Sequence, residues 1–236
     1  MSRKIVFMTL MISCILGLTM AGPAQADIIC NGDFEDGDLS CWNSTGFVAL
    51  DTPPFTIAGN YTAFLNTQGI NDVCSWLWSD NVYPMFVPKS VTVKFKVRYM
   101  TDEPIAPTQV DDPMHAVLKF SDGNGDVNML SMSTNGVMAG PGFKVQDLVT
   151  GHFLPARSMP PFFAPGGWTW ETNTMEVSGT IPYTNCDPVN IRFDICNSID
   201  AIVMSAVQVD DVDITFNPVL VGGGTRPGMG FPIFCF

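Results

Sequence analysis

Positive charge is scarce in this 236-residue chain, where 11 Lys and Arg stand against 23 Asp and Glu. That balance repels nucleic acid and anionic membrane surfaces, so neither is expected as a partner. Histidine is scarcer still, with only His115 and His152. The chain has no G-x-S-x-G elbow, no H-E-x-x-H pair and no phosphate-cradling glycine loop, which removes three common catalytic chemistries. A carboxylate pair can hydrolyse glycosides, yet with 23 acidic residues such pairs arise by chance. The chain therefore reads as a non-enzyme. C-x-x-C pairs are missing, and so are helical periodicity and internal repeats.

One long apolar run exists, and it lies at the start. Arg3 and Lys4 precede an apolar stretch over residues 5–20, and Ala24-Gln25-Ala26 supplies a small-x-small cleavage pattern. This predicts a signal peptide over residues 1–26, and no membrane span once it is removed. A lipoprotein reading at Cys14 fits less well, because the apolar run continues through Ile15, Leu16 and Leu18. The leader holds two of the 11 basic residues and no acidic one, so the remainder carries nine basic and 23 acidic residues, a net −14. Six cysteines remain after the leader: Cys30, Cys41, Cys74, Cys186, Cys196 and Cys235. An even count in an exported chain predicts three disulfides and an extracellular or periplasmic location. Sequence allows many pairings; the simplest joins Cys30 to Cys41, Cys186 to Cys196, and Cys74 to Cys235.

What remains alternates short β-rich segments with Gly, Pro, Asn and Asp clusters, which predicts an all-β, two-sheet antiparallel sandwich over residues 27–217. In residues 91–100 the side chains Val91, Val93, Phe95, Val97 and Tyr99 alternate with Thr92, Lys94, Lys96 and Arg98, so one face is core and the other wet. Residues 114–120, with Ala116, Leu118 and Phe120 inward and His115 and Lys119 outward, and residues 127–132 read as a hairpin around Asp122-Gly123-Asn124-Gly125-Asp126. That turn has calcium-loop spacing, but Val127 and Ser133 stand where such a loop needs Gly and Glu. Val189, Ile191, Phe193 and Ile195 mark another strand. Residues 136–167, rich in Gly, Pro and Phe, read as a long irregular loop. Residues 218–236, with Gly222-Gly223-Gly224, read as a loose tail pinned by Cys235. In the last strand Val207 and Val209 lie in one phase, and Val212, Ile214 and Phe216 in the other. Burying all five requires a β-bulge at Asp210-Asp211.

Asn31-Gly32-Asp33-Phe34-Glu35, followed by Gly37, Leu39 and Trp42, resembles the opening of secreted bacterial carbohydrate-binding modules of families four, nine and twenty-two. These are galactose-binding-like jelly rolls. Gly59-Asn60-Tyr61, residues 73–78 and residues 91–98 continue the resemblance, and Ser205-Ala206-Val207-Gln208-Val209-Asp210-Asp211-Val212 is similar to the family's final strand. The resemblance implies a first strand that meets the last one. It also implies a structural Ca²⁺ held there by Glu35 and Asp210, with Asp211 as a third ligand. Calcium suits this chemistry, since it takes several hard oxygens and would relieve crowding between adjacent carboxylates.

Candidate ligand contacts fall into three groups. Trp76 and Trp78, two apart on one strand, suit a sugar-stacking platform, though tryptophan dominates sandwich interiors and at least one of the two is expected in the core. Trp168 and Trp170 end the long loop, near Phe153, Phe162 and Phe163. Lys94, Lys96, Arg98, Lys119 and Arg192 all project outward by parity, which suggests a cationic face. A plain solvated face with cross-strand pairs, such as Arg192 or Arg98 with Asp194, accounts for them more simply. Two functions follow as expectations. One is a non-catalytic module for a polysaccharide or cell-surface glycan; the other is a structural or surface-assembly protein contacting itself or surface proteins.

Overall fold

The 91–100 alternation becomes the spine of the molecule. The computed structural model describes residues 29–68, 73–103, 112–121, 125–159, 162–163, 168–197, 203–222 and 230–235. The expected signal peptide, together with Asp122 and Asn124, lies outside them. In chain order the strands are β1 (Trp42–Thr45), β2 (Phe47–Asp51), β3 (Thr62–Asn66), β4 (Cys74–Ser79), β5 (Pro88–Thr101) and β6 (Met114–Phe120). Next come β7 (Val127–Ser133), β8 (Gly136–Ala139), β9 (Phe143–Asp147), β10 (Arg157–Ser158), β11 (Phe162–Phe163) and β12 (Trp170–Thr172). The last are β13 (Met175–Pro182), β14 (Val189–Cys196), β15 (Ser205–Pro218), β16 (Leu220–Gly222) and β17 (Gly230–Pro232). Among the described residues there is no helix long and apolar enough to cross a membrane.

Two antiparallel sheets form the predicted sandwich. The first has the order β1-β4-β14-β6-β7-β8-β10, and the second runs β11-β12-β5-β15-β3-β2, with β13 and then β9 added beside β5. In β5, Val91, Val93, Phe95, Val97 and Tyr99 are fully buried while Lys94 is exposed. β14 buries Val189, Ile191, Phe193 and Ile195 in the same way. The sheets meet through large side chains: Phe95 of β5 sets its ring edge-on to Phe193 of β14, centroids 5.1 Å apart. Trp42 stacks on the same Phe193 at 6.3 Å and on Phe34 at 5.1 Å.

The expected bulge is present. The β15–β5 register slips between Asp210 and Asp213, with Asp211 at φ 48°. Val207, Val209, Val212, Ile214 and Phe216 are all buried as a result. The opening motif packs here, as expected: Val212 N–H donates to Gly32 O at 2.8 Å. A Cβ on Gly32 would sit 2.1 Å from the Val212 carbonyl oxygen, so only glycine permits the approach. The motif is not a strand, however. Asn31, Phe34 and Cys41 take φ of 48°, 55° and 65°, and the segment wraps in turns inside the Cys30–Cys41 bridge while Phe34 enters the core.

Three other expectations need correction. Cys30 pairs with Cys41, but Cys74 joins Cys196 and Cys186 joins Cys235. Cys186 and Cys196 cannot meet, because β14 runs between them and an eight-residue strand spans roughly 25 Å. Cys74 and Cys196 are instead register partners on adjacent strands, with Cα atoms 4.1 Å apart. The 136–167 stretch is not a structureless loop, since it contains β8 to β11. Its Gly and Pro residues punctuate short strands, as where Phe143 N–H bonds Gly140 O across a turn. The described ends of the tail, residues 218–222 and 230–235, are also less loose than expected. Val219 N–H bonds Val87 O at 2.9 Å and Cys235 N–H bonds Met85 O at 3.2 Å.

Candidate functional site

The outer face of the first sheet gathers chemistry that is scattered in the sequence. β4 turns Ser75, Leu77 and Ser79 into the core, so Trp76 and Trp78 both point outward, half-buried. Neither is core, contrary to the simpler expectation for at least one of them. Strand order then extends each tryptophan into a cross-strand row. Asn43, Trp78, Arg192, Val117 and Asn128 form one row; Thr45, Trp76, Asp194, His115 and Ser131 form the next.

Asp194 is the hub of this surface. It is 5% exposed, with Arg192 Nε 3.1 Å from Oδ2 and His115 Nδ1 3.1 Å from Oδ1. The Arg192 guanidinium also lies 4.6 Å from the Trp76 ring centroid, a cation–π contact that occupies one aromatic face. An open groove of about 430 Å³ runs past Trp76, His115, Val117, Asp126, Asn128, Arg192, Asp194 and Cys196. A carboxylate, a guanidinium, an imidazole and an amide thus converge beside flat indole surface. Such a set can hydrogen-bond vicinal hydroxyls while the indole packs on C–H groups.

The expected cationic face is divided by the fold. Lys119 and Arg192 lie on the first sheet, whereas Lys94, Lys96 and Arg98 lie on the outer side of the second. All five sit beside acids. Lys94 pairs with Glu176 at 2.9 Å, Lys96 with Asp211, Arg98 with Glu171 at 3.1 Å, Lys119 with Asp126 at 3.5 Å, and Arg192 with Asp194. Arg98 additionally donates through Nε to Gln208 Oε1 at 2.8 Å. The pairing of Arg192 with Asp194 is as expected. Trp168 and Trp170 do not join Trp76 and Trp78, because Trp170 lies on β12 opposite Thr101 in the second sheet.

Glu35 and Asp210 flank one short segment, residues 60–62. Glu35 accepts the Asn60 side-chain amide at 2.8 Å and the N–H groups of Asn60 and Tyr61 at 2.6 and 3.2 Å, which hold its carboxyl below the usual range. Asp210 is 1% exposed, and desolvation pushes its pKa up to about 7 although Thr62 and the Asp211 N–H donate to it. Asp211 is engaged by Lys96. Among the described residues no three His, Cys, Asp or Glu side chains gather as a metal cluster.

Sequence reasoning placed His115 and Asp194 outward but did not join them. The available signal was their shared parity; the missing fact was that β14 lies between β4 and β6.

No family model matches the chain, and no curated protein matches it. Solved structures do. TmCBM61, solved in complex with β-1,4-galactotriose, is 11% identical, covers 81% of this chain and 99% of its own, and has a TM-score of 0.45. CBM28, a non-crystalline cellulose specific carbohydrate-binding module, is 12% identical over 81% of this chain and 97% of its own, with a TM-score of 0.42. The K3 cleaved adhesin domain of Lys-gingipain from Porphyromonas gingivalis W83 is 15% identical over 80% of this chain and 99% of its own, also with a TM-score of 0.42. In sandwich architecture, this chain resembles carbohydrate-binding modules.

Proposed function

We propose that the chain is an exported, non-catalytic glycan-binding module, and that its ligand lies across the outer face of the first sheet. The observation that carries this reading is Trp76 beside the Arg192–Asp194–His115 cluster in one open groove, with Trp78 outward in the adjoining row opposite Arg192. Half-buried, outward-facing indoles suit the C–H faces of pyranose rings. The trio, already oriented by its own contacts, loses little freedom when it exchanges water for sugar hydroxyls. Three disulfides in one small sandwich agree with an oxidising compartment.

A glycan array tests the reading. Wild-type protein is expected to retain at least one polysaccharide, and Trp78→Ala to weaken that retention roughly tenfold, the size of one aromatic contact. An unchanged melting midpoint will show that the loss is local. Retention of nothing by the wild type, or equal retention by the variant, removes the reading.

A second reading, contact with itself or with surface proteins, draws on one observation. Tyr83, Met85, Ile233 and Phe234 are exposed around the tail's docking strip, where Phe86 and Phe234 stack at 4.8 Å. Concentration-dependent size-exclusion volume, with no glycan bound, would favour it.

Calcium at the residue 60–62 corner is part of the same proposal. A buried Asp210 that resists ionisation is a hard-oxygen donor that a divalent cation would stabilise, with Glu35 across the segment. Chelator is expected to lower the melting midpoint by several degrees and added Ca²⁺ to restore it. An unchanged midpoint would exclude the ion.

A further inference from the structure

A second cavity opens beside the groove. It is a cleft of about 910 Å³ at the mouth of the sandwich, between the β6–β7 hairpin, the turn after β8 and the end of β13. Its volume falls in the usual range for ligand sites. Its chemistry differs from that of the groove, because Phe120, Val127, Met138, Ile181, Pro182 and Tyr183 contribute to its walls. Phe120 stacks on Tyr183 at 5.0 Å, and Tyr183 on the core residue Phe216 at 6.1 Å, so this wall is anchored to the core. The Tyr183 hydroxyl donates to Asp187 O at 2.6 Å, which leaves the ring as an apolar surface. Met138 is 47% exposed at the rim, so its thioether faces the cleft's opening.

The two cavities adjoin. Asp126 and Asn128 line both, so a molecule lying on the Trp76–Asp194 face meets the cleft at the start of β7. Building on the glycan-binding reading above, we propose that the ligand is an amphiphilic glycan. Its saccharide occupies the groove, and an apolar substituent on it, an acyl, alkyl or aryl group, enters the cleft. A bare polysaccharide would satisfy the groove and leave the apolar cleft holding water against Phe120 and Met138. An apolar appendage removes that water, and each buried methylene strengthens binding by about fourfold.

Isothermal titration of the full chain with octyl β-D-glucopyranoside below its micellar concentration, against methyl β-D-glucopyranoside, tests this. The octyl compound is expected to bind at least tenfold more tightly. Met138→Asp should erase most of that preference, and the uncharged Met138→Gln should reduce it; the exposed position should leave the melting midpoint unchanged. An octyl preference below threefold in the wild type, or one that survives Met138→Asp, overturns the proposal. Octyl binding undiminished by both Met138→Asp and Trp78→Ala is detergent adsorption, and overturns it too. Failure of both glucosides to bind likewise overturns the amphiphilic ligand, while the glycan-binding reading is decided separately by the array.

Discussion

Replacing Cys74 and Cys196 together by serine should lower the stability of this protein by about 4–5 kcal/mol. The expected size comes from chain entropy: the bond joins residues 122 apart in sequence, so its loss frees a large loop in the unfolded chain. The Cys30–Cys41 bond spans only 11 residues, and its removal should cost about 3 kcal/mol on the same argument. Urea unfolding of both double variants gives the comparison. Equal losses, or a larger loss at Cys30–Cys41, would show that the long bond does not act through loop closure. The Cys74–Cys196 bond also ties β4 to β14 at one end of the groove, where Cys196 itself contributes to the wall. Glycan retention should therefore fall in this variant beyond what Trp78→Ala alone removes.

Phe193→Ala should cost about 3–5 kcal/mol, the range for emptying a fully buried aromatic site. Phe193 is inaccessible to solvent, lies on the interior strand β14, and receives Phe95 from the opposite sheet and Trp42 from β1. A cavity there empties a junction where aromatic rings from both sheets meet. Phe153 is 60% exposed, and its alanine variant should stay within about 0.5 kcal/mol of wild type. Denaturant midpoints at unchanged m-value would measure both. A Phe193→Ala loss under about 1 kcal/mol would mean that the sheets are not held together where the aromatic contacts place them.

Much of this core was legible. The unbroken alternation of residues 91–99 named five fully buried side chains, and the phase change at Asp210-Asp211 named a bulge that the register shows. Both follow from the pleat, which permits only two directions per residue. Segments with mixed signals were misread. Glycine and proline in residues 136–167 suggested a loop, yet its described part holds four strands two to five residues long that fall alternately in the two sheets. Strands that short carry too few alternations for the period to emerge.

The site was half legible. Parity put Trp76 and Trp78 on one face and His115, Arg192 and Asp194 on faces of their own strands. It could not say that these faces are the same one. Lys94, Lys96 and Arg98 have equally good parity, and they ended on the opposite side of the sandwich, each against an acid.

Residue order therefore determined strand existence, facing and the bulge, because each depends on side chains a few positions apart. Tertiary structure alone decided which strands lie together: β14 between β4 and β6, Cys74 against Cys196, Asp194 between Trp76 and His115. Those neighbours are tens of residues apart in sequence. Backbone hydrogen bonding is indifferent to sequence, so adjacency is selected by how two whole sheets bury their apolar faces against each other.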